Sequence, residues 1–248
     1  MPDHAVVSET EWLEARKALL VKEKALTRAR DALNAERLAL PWVKVDKSYV
    51  FDTPTGPRRL GELFNGRSQL IVYHFMFGPD WEAGCPGCSF LADHLDGTSP
   101  HLNHHDVTLT AVSRAPLAKI EAYKARMGWR FPWVSSAPSD FNFDYGVSFS
   151  PEDLASGSVT FNFREMPVTP DDISELPGLS AFYCDEAGRV YRTYSCYARG
   201  AEDLLSALMI LDRAPLGRNE KRGAMDFVRR HDEYGPAPHK ACCGDANA

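Results

Sequence analysis

The most constraining feature of this chain is a nearly continuous apolar run that ends shortly before a pair of cysteines. The run covers residues 69–77 and is rich in residues that favour β-strands. A strand that is apolar on both sides is typical of a sheet covered on both faces. After a short loop comes Cys85-Pro86-Gly87-Cys88, and residues 89–95 then have the pattern of a short helix. We therefore expect an α/β protein with a cysteine pair at a strand-to-helix junction.

The segments after the cysteines extend this pattern into a sheet. Residues 106–112 and 129–134 have the composition of strands, and a helix is predicted between them at 116–127, where Pro116 suits the first helical position. Strand, helix, strand, helix and strand in succession indicate parallel strands joined by crossovers. Segments 179–184 and 189–195 flank a turn that ends in glycine and predict an antiparallel hairpin. The expected architecture is a central mixed sheet flanked by helices.

A long helical arm is predicted before the sheet. Ser8 and Glu11 form a capping-box pattern, and neither Gly nor Pro follows until Pro41. Apolar residues recur every seven positions, at Trp12, Leu19, Leu26, Leu33 and Leu40. The companion positions are charged, so the stripe is not a full coiled-coil seam. Two interpretations stay open: the helix packs along its own domain, or it packs against a second copy of the chain in a homodimer.

The rest of the chain divides into smaller segments. A short strand at 47–51 and a short helical piece at 60–64 precede the apolar run, and a helix over 201–211 closes the domain. Residues 137–177 show no clear period, and such a stretch is often a lid or a binding loop. The predicted organisation is an arm at 1–41, a domain at 42–215 with an insertion at about 137–178, and a C-terminal extension at 216–248 with a mobile tail.

Composition argues against several classes of partner. The formal net charge is −6, whereas a nucleic-acid-binding protein is expected to be basic. No apolar run approaches the roughly 20 residues that span a bilayer. The first ten residues lack the apolar segment of a secretory signal, so we expect a cytoplasmic protein. In that compartment the six cysteines are not expected to form structural disulfides.

Cys85 and Cys88 are the candidate catalytic residues. The start of a helix carries unpaired amides and a partial positive charge, which stabilise a thiolate there. The thiolate is the species that attacks disulfides. Cys85, at the exposed helix start, is expected to be the nucleophile, and Cys88, one turn further, is expected to resolve the mixed disulfide. The expected substrate is a thiol or a disulfide, on a protein or a small molecule, and no cofactor is required.

Two residues before the pair are candidate supporting groups. Trp81 either covers the thiols or anchors the core, and Glu82 either moves a proton to or from Cys88 or is a solvated loop carboxylate. His74 lies within the apolar run and is interpreted as a core histidine. The other cysteines are Cys184 and Cys196, which we interpret as packing thiols, and the adjacent pair Cys242 and Cys243 in the tail.

A metal site is the main alternative to redox chemistry at the cysteine pair. Cys85, Cys88, His101 and His105 formally have the spacing of a Cys2His2 zinc finger. The ββα pattern of a finger is missing, and Pro100 stands where the finger needs helix interior. We therefore expect no metal, and a non-enzymatic metal- or redox-sensing module remains an alternative function.

These motifs together resemble a bacterial family of thioredoxin-like proteins described as predicted dithiol-disulfide oxidoreductases, a domain-of-unknown-function family in the thioredoxin superfamily. The matching stretches are Val7-Ser8-x-x-Glu11-Trp12-Leu13-x-Ala15-Arg16, Leu40-Pro41-Trp42-Val43, Tyr73-His74-Phe75-Met76-Phe77-Gly78-Pro79-Asp80-Trp81, Gly84-Cys85-Pro86-Gly87-Cys88-Ser89 and Arg126-Met127-Gly128-Trp129. The resemblance covers residues 6–234 and implies a thioredoxin-like fold and thiol–disulfide exchange.

Two positions differ from better-known relatives. Thioredoxins place a cis-proline opposite the cysteine pair, at the start of the strand that corresponds to 179–184. Here Leu179 or Ser180 is expected at that place, with Pro177 slightly before it. Peroxiredoxins resemble the middle of the chain as well, and a peroxidase acting through Cys85 is a second alternative. Their peroxidatic cysteine follows a Thr or Ser by three residues, whereas this chain has Glu82 there.

Overall fold

The computed structural model describes residues 4–235, so the predicted pair Cys242 and Cys243 lies outside the described residues. The α-helices are α1 (Glu9–Leu38), α2 (Pro86–Leu95), α3 (Ser99–His104), α4 (Leu117–Met127), α5 (Phe141–Asp144), α6 (Pro151–Ala155) and α7 (Ser206–Leu211). The strands are β1 (Val43–Lys44), β2 (Val50–Phe51), β3 (Arg58–Arg59), β4 (Gln69–His74), β5 (Val107–Ser113), β6 (Trp133–Ser135), β7 (Ser158–Phe161), β8 (Arg164–Pro167), β9 (Gly178–Cys184) and β10 (Val190–Tyr197). Short 3-10 segments cover Leu60–Phe64, Asp96–Thr98, Ala198–Leu204 and His231–Glu233.

Six strands form one mixed sheet in the order β1-β10-β9-β4-β5-β6. β4, β5 and β6 are parallel, whereas β9 runs antiparallel to β4 and forms the predicted hairpin with β10. A parallel β4-α2-β5 unit beside an antiparallel hairpin is the thioredoxin-like arrangement of a sheet. The predicted fold class, a thioredoxin-like mixed sheet flanked by helices, with a helical arm and an insertion before the hairpin, is confirmed.

The central strand β4 is buried on both sides, as its continuous apolar sequence predicted. Leu70 and Val72 pack into one hydrophobic cluster, together with residues of the 3-10 segment 60–64. Tyr73 packs on the opposite side, in a cluster that includes α2 and α4. Because successive side chains of a strand point to opposite faces, burial on both faces removes the polar positions that an exposed strand would show.

Several predicted element boundaries were wrong. The strand expected at 47–51 is limited to β2, and the strand expected at 129–134 begins only at Trp133. The helix expected over 201–211 is instead a 3-10 segment followed by α7. The break falls at Leu205, whose backbone angles (φ −85°, ψ 77°) lie outside the helical region.

The N-terminal helix α1 does not pack along its own domain, so that interpretation was wrong. The predicted capping box is present: Ser8 accepts a hydrogen bond from the amide of Glu11, and Glu11 accepts one from the amide of Ser8 at 2.9 Å. Yet no residue of α1 is buried. The guanidinium of Arg37, near its end, lies 5.7 Å from the ring centre of Tyr194. Packing against a second copy stays a prediction.

No helix in the described part of the chain is both long and apolar enough to cross a bilayer.

The insertion before the hairpin folds around its own small core. Helices α5 and α6 and the hairpin of β7 and β8 lie there, and Phe149, Leu154, Val159 and Val168 form a separate buried cluster. A buried carboxylate ties this segment to the sheet: Glu175 accepts hydrogen bonds from Arg114 at 3.0 Å and from Ser148 at 2.6 Å. Burial raises the pKa of Glu175, and the Arg114 charge opposes this shift.

The loop between β4 and α2 contains one glycine that the packing requires. A Cβ atom on Gly84 would lie 2.6 Å from the ring of Phe75 and 2.8 Å from the ring of Tyr123. Both rings belong to the main hydrophobic cluster, so neither can move away cheaply. A side chain at this position would push the loop away from the core.

We expect Gly84→Ala to lower the free energy of unfolding by about 1–3 kcal/mol, since overpacking a rigid core costs this much. Urea unfolding measures the change. Gly97→Ala is the matched control, because a Cβ there meets no atom within 4 Å. Equal stability of the two variants would contradict the close packing at Gly84.

Candidate active site

The cysteine pair lies where β4 leads into α2. Cys85 is the N-cap residue, at the helix start as the sequence predicted, and Pro86 occupies the first helical position. The amide of Cys85 donates a hydrogen bond to the carbonyl of Met76 at 3.0 Å, which returns the loop to the end of the strand. Cys85 is half-buried, whereas Cys88 is buried with 3% of its surface exposed. The two thiols therefore differ in access to solvent and substrate.

The environment of Cys85 favours its thiolate. The Cys88 side chain hydrogen-bonds to the Cys85 sulfur, and the amides of Gly87 and Cys88 donate to it as well. Together with the charge of Arg230, and against the effect of burial, these contacts lower the pKa of Cys85 to about 6. At neutral pH Cys85 is therefore mostly a thiolate, the nucleophilic form.

Cys88 has the opposite electrostatic character. Burial raises the pKa of Cys88 well above its usual value, and the neighbouring Cys85 raises it further. The amide of Met76 donates to the Cys88 sulfur at 3.4 Å and lowers this pKa slightly. Cys88 is thus a protonated thiol while Cys85 is a thiolate. One turn of helix therefore holds a thiolate and a protonated thiol side by side.

Arg230 is a further residue at the cysteine loop, and it was not predicted from the sequence. Its guanidinium donates two hydrogen bonds to the carbonyl of Gly84, at 2.7 and 3.0 Å, and one to the hydroxyl of Tyr123 at 3.0 Å. Glu233 accepts from it at 2.8 Å. Arg230 comes from the C-terminal extension, and no local sequence signal marks it.

A polar network beneath the start of α2 holds Arg230 against the carbonyl of Gly84. The hydroxyl of Ser89 donates to the carbonyl of Cys85 at 2.8 Å and shares a hydrogen bond with Tyr123 at 2.8 Å. Tyr123 in turn accepts from Arg230. Ser89 is fully buried and Tyr123 nearly so. The network joins α2, α4 and the C-terminal extension around the cysteine loop.

A cavity of about 190 Å³ opens beside both cysteines. Its walls include residues of α2, the 3-10 segment 198–204 and Met225 of the C-terminal extension. The insertion at 137–177 contributes only Pro177 to the lining of this cavity. The insertion packs on its own small core and, through Phe141, Tyr145 and Val147, against the central sheet.

The position at the start of the hairpin strand also differs from the prediction. We expected Leu179 or Ser180 to hold the place opposite the cysteine pair. Strand β9 begins earlier, at Gly178, so Pro177 directly precedes it and lines the cavity with Cys85 and Cys88. None of the peptide bonds among the described residues is cis.

Of the other candidate residues, Trp81 and His74 pack in the core and Glu82 is exposed. Trp81 packs on the main hydrophobic cluster, and its backbone carbonyl accepts from Lys119 at 3.2 Å. Glu82 is exposed and does not line the cavity. His74 is a buried core histidine: it shares a hydrogen bond with Ser180 at 2.9 Å, and burial lowers the pKa of its ring to about 3.

The remaining cysteines do not form a pair within the described chain. Cys184 lies opposite Val190 in the hairpin register, whereas Cys196 lies opposite Leu179. Both are free thiols, and burial raises the pKa of each. Cys196 lines the cavity beside Cys85 and Cys88. Among residues 4–235, no three His, Cys, Asp or Glu side chains are grouped to hold a metal ion.

The fold and the site define a thioredoxin-like α/β protein with a dithiol at the start of a helix. The chain belongs to the family of bacterial proteins of unknown function DUF899, whose sequence model matches residues 1–234. The resemblance to a domain-of-unknown-function family is thus confirmed, although the family description states no activity. None of the curated proteins compared with the chain matches it.

Peroxiredoxins are among the solved structures whose backbone is similar to that of this chain. Peroxidoxin BcpB of Mycobacterium tuberculosis is 16% identical, with a TM-score of 0.43, over 69% of this chain and 97% of that one. A mutant of peroxiredoxin Q of Xanthomonas campestris is 15% identical, with a TM-score of 0.41, over 65% of this chain and 90% of that one. Similarities this low carry no argument about the chemistry of this chain.

The pKa of Cys85 predicts how its reactivity depends on pH. Since the thiolate reacts, alkylation of Cys85 by iodoacetamide should rise as pH increases through about 6 and level off above neutrality. Mass spectrometry of the Cys85 peptide follows the rate. A rate that still climbs steeply between about pH 8 and 9, as for a free thiol of pKa ~8.5, would contradict the environment described above.

Arg230→Gln should raise the pKa of Cys85, because it removes a positive charge and frees the carbonyl of Gly84. At pH 6 we expect alkylation to slow about twofold or more. Arg229→Gln is the matched control: it removes the same charge from the neighbouring residue, which is exposed and bonds only backbone carbonyls with its side chain. Equal rates for the two variants would show that Arg230 has no special role.

Proposed function

We propose that this protein is a thiol–disulfide oxidoreductase in which Cys85 is the nucleophile and Cys88 the resolving thiol. The observation that carries the proposal is the placement of two sulfurs one helical turn apart, one half-buried at the helix start and the other buried. Cys85 has a pKa of about 6 and is partly accessible, while Cys88 is buried and protonated. Both line one cavity, so a substrate sulfur that reaches Cys85 is also close to Cys88.

The first step is attack by the Cys85 thiolate on a substrate disulfide. The sulfur–sulfur bond of the substrate breaks, a bond forms between Cys85 and one substrate sulfur, and the other leaves as a thiolate. A thiolate with a pKa near the ambient pH suits this step, since it is both populated and still nucleophilic. The leaving thiolate takes a proton from solvent.

The second step begins when Cys88 loses its proton. Once Cys85 is part of a mixed disulfide, its negative charge is gone, and one cause of the raised pKa of Cys88 disappears. Cys88 then loses its proton to solvent more readily, and its thiolate attacks the Cys85 sulfur. The bond between Cys85 and the substrate sulfur breaks, that sulfur leaves as a thiolate and takes a proton from solvent, and the pair ends as a disulfide. The protein has lost two electrons and the substrate has gained them.

Peroxide reduction through Cys85 is the second candidate that the sequence left open. The residue three positions before Cys85 is Glu82, an exposed carboxylate without the hydroxyl that a peroxidatic cysteine has nearby. The resolving thiol one turn away favours disulfide exchange instead. A metal-sensing module lacks support, because the described chain groups no ligand set around the pair.

Cys88→Ser should trap a mixed disulfide, because the resolving thiol is gone while the nucleophile remains. Incubation of the reduced variant with a disulfide, followed by mass spectrometry, should show one adduct located on Cys85. Cys85→Ser is the matched control and should show no adduct on Cys88, which is buried and protonated. An adduct on Cys88 in the control, or none on Cys85, would contradict the assigned roles.

A further inference from the structure

The cavity beside the cysteine pair has walls that are almost entirely apolar. Met76 and Leu91 form the side next to the cysteines, and Pro177 lies at the start of β9. Ala201, Leu205 and Met225 lie on the side formed by the 198–205 segment and the C-terminal extension. Apolar surface that is removed from water on binding is the main source of affinity for such a site.

The charged residues of the cavity wall neutralise each other. Arg199 and Glu202 form an ion pair, and Glu202 also accepts a hydrogen bond from Arg218 at 2.7 Å. Arg218 is paired in turn with Asp212 at 2.6 Å. Two positive and two negative groups thus form one connected network. No unpaired cation among the described lining residues is left to hold a substrate carboxylate.

The volume of the cavity limits the size of its ligand. An apolar cavity of about 150 Å³ is enough to hold a benzene molecule. At about 190 Å³, the space beside Cys85 accommodates a compact group of slightly larger size. Drug-sized ligands generally occupy pockets of about 300–1,000 Å³, so a glutathionyl group or a stretch of polypeptide is too large to be enclosed by this one.

We propose that this cavity selects the substrate of the Cys85–Cys88 pair and takes compact, uncharged, apolar disulfides. One apolar group fills the cavity, which places the adjoining sulfur against Cys85. Exchange then oxidises the protein dithiol and releases two small thiols, each with one proton, and an external dithiol reductant returns the protein to its reduced form. This inference rests on the proposed function and adds its substrate class.

The test compares single-turnover oxidation of the reduced protein by dipropyl disulfide, oxidised glutathione and insulin. Each rate constant is divided by the rate constant of dithiothreitol with the same disulfide, which removes differences in intrinsic reactivity. We expect the corrected rate with dipropyl disulfide to exceed the other two by about tenfold or more, because only its propyl groups gain from burial in the cavity.

Two variants change the cavity in opposite directions. Ala201→Phe fills it and should slow the reaction with dipropyl disulfide about tenfold, while the pKa of Cys85, read from thiolate absorbance, stays unchanged. Ala187→Phe, in the exposed turn of the hairpin, is the matched control. Met225→Gly enlarges the cavity at a residue whose φ of 62° suits glycine, and it should shift the preference toward diphenyl disulfide.

The possible outcomes distinguish a wrong substrate class from a wrong proposed function. Corrected rates with oxidised glutathione or insulin that equal the rate with dipropyl disulfide would overturn the substrate class and leave the oxidoreductase intact. The same holds if Ala201→Phe reacts as fast as Ala187→Phe, or if Met225→Gly leaves the preference unchanged. Failure of Cys85 to exchange with any disulfide would overturn the proposed function itself.

Discussion

The hydrogen bond from the amide of Cys85 to the carbonyl of Met76 joins the end of the central strand to the start of α2. It closes the loop between them, so that the first helical turn begins directly beside the sheet. Gly84 allows this closure because its lack of a side chain leaves room for the rings of Phe75 and Tyr123. The position of both sulfurs, and of the cavity next to them, depends on this closure.

The same turn of helix gives the two cysteines different chemistry. Hydrogen bonds from the Cys88 side chain and from two amides stabilise the Cys85 thiolate, while burial keeps Cys88 protonated. The charge of Arg230 adds to the first effect from outside the helix. An isolated Cys-x-x-Cys peptide would have the amides but neither the burial nor the arginine. The functional difference between the sulfurs therefore arises from tertiary structure.

The parts of the site that follow from local sequence could be predicted. An apolar strand, a short loop and Cys-Pro-Gly-Cys indicate a strand-to-helix junction from neighbouring residues alone, and the structure confirms that junction. The role of Arg230 could not be predicted, because it meets the carbonyl of Gly84 across 146 positions of sequence. The segment 198–205 also lies beside the cysteines through contacts between residues far apart in the sequence. Its own sequence resembles an ordinary closing helix, so this position could not be predicted either.

In the N-terminal helix, the sequence pattern predicted a packing contact that the structure does not contain among the described residues. Its heptad-spaced apolar residues predicted a packing face, yet Trp12 and Leu26 are 52% and 65% exposed. Capping and the absence of Gly and Pro are local determinants of a helix, so the helix itself was predicted correctly. Burial of its apolar face would require a partner surface, and the pattern alone does not identify one.

The most direct test of the central claim is the redox equilibrium of the Cys85–Cys88 pair in dithiothreitol and glutathione buffers of defined potential. Mass spectrometry after acid trapping and alkylation measures the fraction in the disulfide form. The account predicts one reversible two-electron transition within the range of about −270 to −120 mV found for Cys-x-x-Cys oxidoreductases. It also predicts that the transition is absent in Cys88→Ser. A pair that never forms a reversible disulfide over this range would contradict the account.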